Sequence, residues 1–205
     1  MITNPKAYWQ GVANREDWRS FILPRKNDAD FDAEGLAEAR RLFYFYDGNS
    51  TVVDYGCGVG RVLQYVAERA GHAVGLDICT AFLDRAREAI KRDNVAFFPS
   101  DEYQRENVAD LVYSIMVLQH NDAPNRMKIM EHIHRILKVD GMAVVSFPRI
   151  ESTYYQESDT LHKFTRGEVY DYGRLFFISR IIEGNLPHYE KEYTGNNEYF
   201  LIAVK

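Results

Sequence analysis

The chain has 205 residues, of which 46% are hydrophobic and 27% are charged, and this indicates one folded domain with a full hydrophobic core. Such a composition excludes a disordered chain, a collagen-like repeat and a disulfide-rich miniprotein. The 25 basic and 30 acidic residues give a net charge of −5, which argues against a nucleic-acid-binding protein.

The first part of the chain is predicted to be helical. Residues 5–30 are expected to form one or two short helices. Their apolar anchors and their stop signal are Trp9, Trp18, Phe21 and Pro24. Asp32 is expected to cap a further helix over 33–45. We interpret residues 1–46 as a helical cap or lid and residues 47–205 as the core of a single domain.

Strand and helix patterns alternate from residue 51 onward. Apolar and β-branched runs predict strands over 51–55, 73–76, 95–98, 111–117 and 142–147. Apolar residues at helical spacing predict helices over 61–70, 81–91 and 125–137. Because strands alternate with helices, we expect βαβ units and a parallel sheet that helices cover on both faces.

The last part of the chain has a different pattern. Residues 149–163 show no periodicity and are expected to form an irregular loop. Thr165 and Glu168 have the spacing of a capping box at the start of a short helix. Two strands are predicted over 176–182 and 199–204. Since no helix of useful length lies between them, they are expected to pair antiparallel.

The most informative segment, residues 53–61, reads V-D-Y-G-C-G-V-G-R and joins a buried strand to a helix. Its glycines allow positive φ angles and a close ligand approach, and the helix start supplies free N–H groups. A dinucleotide-binding turn needs a small residue at its sixth position, where this chain has Arg61 or Leu63. Asp54 would repel a diphosphate, and it suits a ligand with a positive centre such as an amino acid or a sulfonium.

The D-x-G-C-G-x-G-R pattern resembles the first motif of the class I S-adenosylmethionine-dependent methyltransferases of small-molecule type. The resemblance covers roughly residues 40–205 and includes the acids after the second and third strands, Asp77 and Asp101. In I-L-K-V-D-G at 136–141, valine and aspartate replace the proline and first glycine of the family. The resemblance implies a doubly wound α/β fold with a mostly parallel seven-stranded sheet in the order 3-2-1-4-5-7-6, helices on both faces and an antiparallel C-terminal hairpin.

The resemblance also implies a cofactor, S-adenosylmethionine, with S-adenosylhomocysteine as its product. In such enzymes the acid at Asp77 takes both ribose hydroxyls, and the residue at Ile78 packs on adenine. The acid at Asp101 contacts the adenine amino group, and Glu102 offers a backbone N–H to the ring. The expected cofactor-binding residues are Asp54, Gly56, Cys57, Gly58, Gly60, Asp77, Ile78, Asp101, Glu102, Ser114, Ile115 and Gln119.

Methyl transfer is an in-line displacement to which a protein contributes positioning and the exclusion of water. His120 follows the fourth strand and is the candidate base, because histidine with its unperturbed pKa of ~6.5 suits proton transfer near neutral pH. Its alternatives are a hydrogen bond to the loop or a cap on the helix that starts near Pro124. His132 and His134 point to different faces of one helix, so we expect no metal site.

Aromatic and histidine residues outside the predicted core are candidates for the acceptor site: Tyr8, Trp9, Tyr154, Tyr155 and His162. The first two, together with Trp18, either form a lid over the cofactor or dock a helix on the sheet. The tyrosine pair either lines an aromatic pocket or anchors a loop. His162 precedes Phe164 in the irregular segment, from which it is expected to reach the acceptor.

The leading hypothesis is an enzyme that methylates a small molecule. The alternative is a non-catalytic S-adenosylmethionine-binding sensor or a partner subunit of another methyltransferase. The chain has no Asn/Asp-Pro-Pro-aromatic motif after the fourth strand and no Pro-Cys pair, so we expect no nucleic-acid acceptor. Cys57 and Cys79 are too few for a disulfide framework and are interpreted as small core residues. No membrane span or signal peptide is recognised, and we expect a cytoplasmic monomer or homodimer that does not bind membranes.

Overall fold

The computed structural model describes residues 2, 4–22, 28–150, 161–183 and 198–205, with the backbone alone at 28 and 29. Its helices are α1 (Pro5–Ala13), α2 (Trp18–Ile22), α3 (Asp28–Leu42), α4 (Leu63–Val66), α5 (Thr80–Ala89), α6 (Ala123–Ile136) and α7 (Arg166–Gly173). Its strands are β1 (Thr51–Tyr55), β2 (His72–Asp77), β3 (Val95–Pro99), β4 (Ala109–Ser114), β5 (Leu137–Pro148), β6 (Ile178–Glu183) and β7 (Glu198–Val204). The predicted helix stop at Pro24 lies outside the described residues. Within them, no helix is long and apolar enough to cross a membrane.

The strands form one sheet in the order β3-β2-β1-β4-β5-β7-β6. Strand β2 pairs in parallel with β1 and β3, and β4 pairs in parallel with β5. Strand β7 pairs antiparallel with both β5 and β6. This arrangement confirms the predicted α/β fold, its strand order and its antiparallel C-terminal hairpin. Apolar strand residues make up much of the buried core, among them Val52, Val53, Leu76, Leu111 and Val144.

The chain divides into two compact units. The N-terminal unit is Asn4–Gln104, which holds β1–β3 and α1–α5. The C-terminal unit is Arg105–Lys205 with Met1–Thr3, and it holds β4–β7, α6 and α7. The interpretation of residues 1–46 as a cap on a single domain stays a prediction.

In the N-terminal unit, α3 packs closely on the residue that follows the glycine segment. A Cβ atom at Gly35 would collide with the carbonyl oxygen of Arg61, so glycine is needed for this approach. The Arg61 guanidinium lies over the Phe31 ring, 5.7 Å from its centre. Burial raises the pKa of Glu38, and the charges of Arg41 and Arg61 oppose that rise. Arg61 therefore has a structural role, as a support for α3.

Two helices of this unit differ from the prediction. Helix α3 begins earlier than expected, so Asp32 lies inside it and does not cap it. The added turn is stabilised because it brings Phe31 edge-on to Trp18, with ring centres 6.1 Å apart. Helix α4 is much shorter than the predicted 61–70, because several N–H groups around it donate to carbonyls three residues back instead of four.

The ends of β4 and β5 also differ from the prediction. Strand β4 ends at Ser114 instead of 117, because Met116 turns to a φ of 61° and its N–H donates to the Ser146 hydroxyl at 3.0 Å. Strand β5 begins at Leu137 instead of 142. Asp140, which replaces a glycine of the family motif, has a φ of 64°. Aspartate is one of the residues that tolerate this left-handed conformation.

Candidate functional site

The glycine loop, Gly56 to Gly60, follows β1 in the N-terminal unit. Its three glycines have φ angles of 86°, 55° and 79°, in the left-handed region that favours glycine. Its first N–H donates to the carbonyl of Leu76 at 2.7 Å, which attaches the loop to β2. No atom lies within 4 Å of the position that a Cβ would take at Gly58, whereas at Gly60 it would lie 2.5 Å from Cδ1 of Ile90. Gly58 therefore borders open space, and Gly60 allows close packing.

Asp77, the last residue of β2, joins the glycine loop to the start of α5. Its Oδ2 accepts the N–H of Gly58 and its Oδ1 accepts the N–H of Cys79, both at 2.8 Å. The residue is only 8% exposed, and burial raises its pKa to about 6 although backbone N–H groups oppose the rise. Because a carboxylate has more lone pairs than these two bonds use, it can accept further hydrogen bonds from a ligand's hydroxyl groups.

Two further buried residues belong to this region: Asp54, near the end of β1, and Cys57, the second residue of the glycine loop. Asp54 is 4% exposed and is in register with Gly75 of the neighbouring strand. A Cβ atom at Gly75 would lie 2.8 Å from Sγ of Cys57, so the thiol fills space that the glycine leaves. Burial, with the charges of Asp54 and Asp77, raises the pKa of the Cys57 thiol well above its usual value. A protonated, buried thiol agrees with the interpretation of Cys57 as a small core residue.

The residues expected near adenine follow β2 and β3. Ile78 is half-buried, and Asp101 and Glu102 are exposed. Oδ2 of Asp101 accepts a hydrogen bond from Nζ of Lys6 at 2.7 Å, and the N–H of Glu102 donates to the carbonyl of Pro99 at 3.2 Å. Sequence reasoning missed Lys6, because no local pattern signals a contact between residues 95 positions apart.

Helices α1 and α2 pack on α5 and on the glycine loop. The rings of Trp9 and Trp18 lie 6.4 and 5.7 Å from the ring of Phe82, measured between centres. Tyr8 stands edge-on to Trp9 at 5.1 Å, and Val59 of the glycine loop belongs to the same apolar cluster. This segment therefore docks on α5 and on the glycine loop, whereas docking on the sheet was predicted. A lid role for Tyr8 and Trp9 stays a prediction.

The segment after β4, in the C-terminal unit, carries the other predicted residues. Ser114 and Gln119 are buried, while Ile115 and His120 are half-buried. Nε2 of Gln119 lies 3.4 Å from Nε2 of His120. The alternative that His120 caps α6 is wrong, because the cap is Asp122, whose carboxylate accepts a backbone N–H of that helix at 3.0 Å.

His162 lies beside this segment. Its N–H donates to the carbonyl of Gln119 at 2.8 Å, its Nε2 lies 2.9 Å from Oε1 of Glu168, and its ring is edge-on to Phe164 at 4.6 Å. The C-terminal unit therefore brings His162 next to the 3-10 turn that ends at His120. The other two acceptor candidates lie outside the described residues: Tyr154 and Tyr155.

Comparison with known proteins relates this arrangement to one family. Residues 53–145 match the family described as a methyltransferase domain. The chain is 30% identical over 103 residues to phosphoethanolamine N-methyltransferase of Plasmodium falciparum, a match that covers 48% of this chain and 39% of that one. It is 30% identical over 140 residues to trans-aconitate 2-methyltransferase of Methylobacterium radiotolerans, covering 64% and 50%.

A solved structure shares the fold. It is phosphoethanolamine N-methyltransferase 1 of Haemonchus contortus in complex with phosphoethanolamine and S-adenosylhomocysteine. The TM-score is 0.72 at 17% identity, and the match covers 97% of this chain and 47% of the other. This chain thus spans half or less of the length of these three proteins.

Proposed function

We propose that this protein is a Rossmann-like, class I S-adenosylmethionine-dependent methyltransferase that transfers a methyl group to a small-molecule acceptor, since residues 53–145 match the family described as a methyltransferase domain and the strand order is the expected one. The observation that carries the proposal is the hydrogen bond from the Gly58 N–H to the Asp77 carboxylate. It sets a buried acid at the end of β2 directly against an open glycine loop, at the strand ends where doubly wound sheets bind ligands.

The residues of the N-terminal unit fit this cofactor. The open space at Gly58 lets a ligand approach the backbone. Hydroxyl donors such as those of ribose would stabilise the ionised form of the buried Asp77 and lower its raised pKa. The half-buried Ile78 offers apolar surface to the adenine ring. Asp54 adds a buried carboxylate, which attracts a sulfonium or an ammonium group and repels a diphosphate.

The cofactor residues are those that the family pattern indicates. Within the N-terminal unit they are Asp54, Gly56, Cys57, Gly58, Gly60, Asp77, Ile78, Asp101 and Glu102. Within the C-terminal unit they are Ser114, Ile115 and Gln119. Asp101 accepts a hydrogen bond from Lys6 and the N–H of Glu102 donates to the carbonyl of Pro99, so binding of the adenine requires both to exchange or share those bonds.

S-adenosylmethionine, when bound, supplies a methyl group on a positively charged sulfur. The chain positions the acceptor and excludes water, and removes a proton when the acceptor requires it. We assign the proton transfer to His120. The amide Nε2 of Gln119 can only donate, so it occupies the lone pair of His120 Nε2 and leaves the ring proton on Nδ1; to give its proton to His120, the acceptor must displace this amide from Nε2.

The acceptor is a small molecule. The relatives described above are named for phosphoethanolamine and trans-aconitate, both small molecules that carry anionic groups. Their names support this class of acceptor for a chain with no basic excess, since its net charge is −5. His162 lies beside the turn with His120 and is the acceptor candidate that we retain from the C-terminal unit.

The test is a turnover assay. The purified chain is mixed with S-adenosylmethionine and a panel of small amines, phosphate esters and carboxylates, and release of S-adenosylhomocysteine is measured. The proposal expects release that depends on one acceptor and is lost in Asp77→Ala. Cofactor binding with no turnover on any acceptor would instead favour a sensor or a partner subunit.

A further inference from the structure

The C-terminal unit contains a buried guanidinium without an acidic partner in the part of the chain that the structure describes. Arg126, in α6, is 5% exposed. Its Nε and Nη1 atoms are buried and have no hydrogen-bond partner among the described residues. Its guanidinium lies over the ring of Phe164, 5.1 Å from the ring centre. Because arginine stays protonated in proteins, this is a buried positive charge with an aromatic face as its neighbour.

Arg126 lies near the two candidate residues for the acceptor site in the C-terminal unit, His120 and His162. It is in the first part of α6, which begins soon after His120. Phe164, beneath its guanidinium, donates its N–H to the carbonyl of Pro148 at the end of β5, at 2.7 Å. Two residues earlier, His162 donates its N–H to the turn that holds His120. The cation thus lies among the segments that follow the carboxyl ends of β4 and β5, where open α/β sheets bind ligands.

The surroundings of Arg126 suit a negatively charged ligand. A guanidinium presents a planar set of N–H donors that matches a carboxylate or a phosphate. Tyr172 lies close by, with its ring centre 6.4 Å from that of Phe164. Burial raises the pKa of its hydroxyl, and both the charge of Arg126 and a hydrogen bond from Arg126 to this hydroxyl oppose that rise. The hydroxyl therefore stays protonated and can donate a second hydrogen bond to the same anion.

We propose that Arg126 binds the anionic group of the methyl acceptor, either a carboxylate or a phosphate. The inference rests on the proposed function, because it assigns a substrate class to that reaction. It makes Arg126 a binding residue for the part of the acceptor that does not react. A buried charge of this kind selects anionic acceptors over neutral ones, since a neutral acceptor leaves the guanidinium unpaired.

The experiment is calorimetric titration of the intact chain with trans-aconitate and with phosphoethanolamine, each with and without saturating S-adenosylhomocysteine. Ethanolamine, which has a neutral hydroxyl in place of the phosphate, is the control for the anionic group. The two anionic probes distinguish a carboxylate site from a phosphate site. We expect one of them to bind. Arg126→Met should lower the affinity for that probe by about 30-fold or more, which is the cost of truncating one partner of a buried charge pair. Arg126→Lys keeps the charge but loses the planar donor set, so we expect a smaller loss.

The matched control is Arg135→Met, on the same helix but at an exposed position, and it should leave both probes unaffected. S-adenosylhomocysteine should bind all variants equally. Anion binding that Arg126→Met leaves unchanged, or no anion binding by the intact chain, would overturn the inference. If Arg126→Met fails to fold, Arg126→Lys decides by the same comparison. If the unaltered chain does not bind S-adenosylhomocysteine, the proposed function is overturned instead. The titrations without cofactor would still decide whether Arg126 binds an anion.

Discussion

The carboxylate of Asp77 accepts the N–H of Gly58 at 2.8 Å, and this bond connects the end of β2 to the middle of the glycine loop. The other carboxylate oxygen accepts the N–H of Cys79, at the start of α5, at the same distance. One buried acid therefore organises three segments of the N-terminal unit. Because burial raises its pKa to about 6, the carboxylate gains and loses its charge at mildly acidic pH.

The raised pKa of Asp77 predicts a pH-dependent stability. The folded state binds this proton more tightly than the unfolded state, so the free energy of unfolding falls as pH rises from about 4 to about 6. The loss is on the order of 3 kcal/mol, because each unit of pKa difference corresponds to about 1.4 kcal/mol. Urea unfolding of the unaltered chain and of Asp77→Asn across this range measures it, since Asn does not titrate. Relative to the unaltered chain, Asp77→Asn should gain free energy of unfolding as the pH rises to about 6, and the difference should stay constant above that pH. The same pH dependence in both proteins would contradict the prediction.

The glycine loop predicts that two similar substitutions have different effects. Gly58→Ala should cost about 1–2 kcal/mol for the left-handed backbone, and it should weaken binding of S-adenosylhomocysteine because the methyl group enters the open space. Gly60→Ala should destabilise the fold more, because its methyl group also meets Ile90. Chemical unfolding and calorimetric titration measure the two effects. Full cofactor affinity in Gly58→Ala would show that the space beside this glycine is not used.

The ion pair between Lys6 and Asp101 predicts competition with the adenine. Removing the ammonium in Lys6→Ala frees the carboxylate for the adenine amino group, so S-adenosylhomocysteine should bind about 1.5-fold to fivefold more tightly, the range of an exposed ion pair. The gain should shrink at high salt, which weakens the pair in the unaltered chain. Arg15→Ala, which removes another exposed pair of the N-terminal unit, is the control. Weaker binding in Lys6→Ala would show that Lys6 holds α1 as a lid on the cofactor.

The assignment of His120 predicts a loss in turnover alone. Replacing a general base lowers the rate by about 100-fold or more, so His120→Gln should reduce kcat on an oxygen acceptor by that factor. Cofactor affinity should not change. His134→Gln, which removes a half-buried histidine of α6, serves as the control. An unchanged kcat in His120→Gln would mean that the acceptor needs no base at this position.

Local patterns in the sequence predicted the parts of the fold that local forces decide. The three glycines allow a left-handed backbone, and all three adopt it. Thr165 and Glu168 form the capping box that their spacing indicates. The seven-strand order came from the resemblance to a family, because strand pairing is non-local. The contact between Lys6 and Asp101 could not be predicted, since it joins residues far apart in the chain.

The burial of Arg126 could not be predicted from the sequence either. Arg126 lies on a helix two positions before Lys128, and charged residues on a helix are typical of a solvent-exposed face. Only the packing of Phe164 beneath the guanidinium shows that the side chain turns inward. The start of α3 was predicted incorrectly for a related reason, because the contact between Phe31 and Trp18 adds a turn that capping rules do not consider.

Calorimetric titration of the purified chain with S-adenosylhomocysteine, beside Asp77→Ala and Asp84→Ala, tests whether Asp77 holds the cofactor. Asp84 lies on α5 in the same unit, and its exposed carboxylate pairs only with Arg87 among the described residues, so it controls for loss of an acid. We expect micromolar binding by the unaltered chain and by Asp84→Ala, and no measurable binding by Asp77→Ala. Binding that survives in Asp77→Ala, or no binding by the folded, unaltered chain, would contradict it.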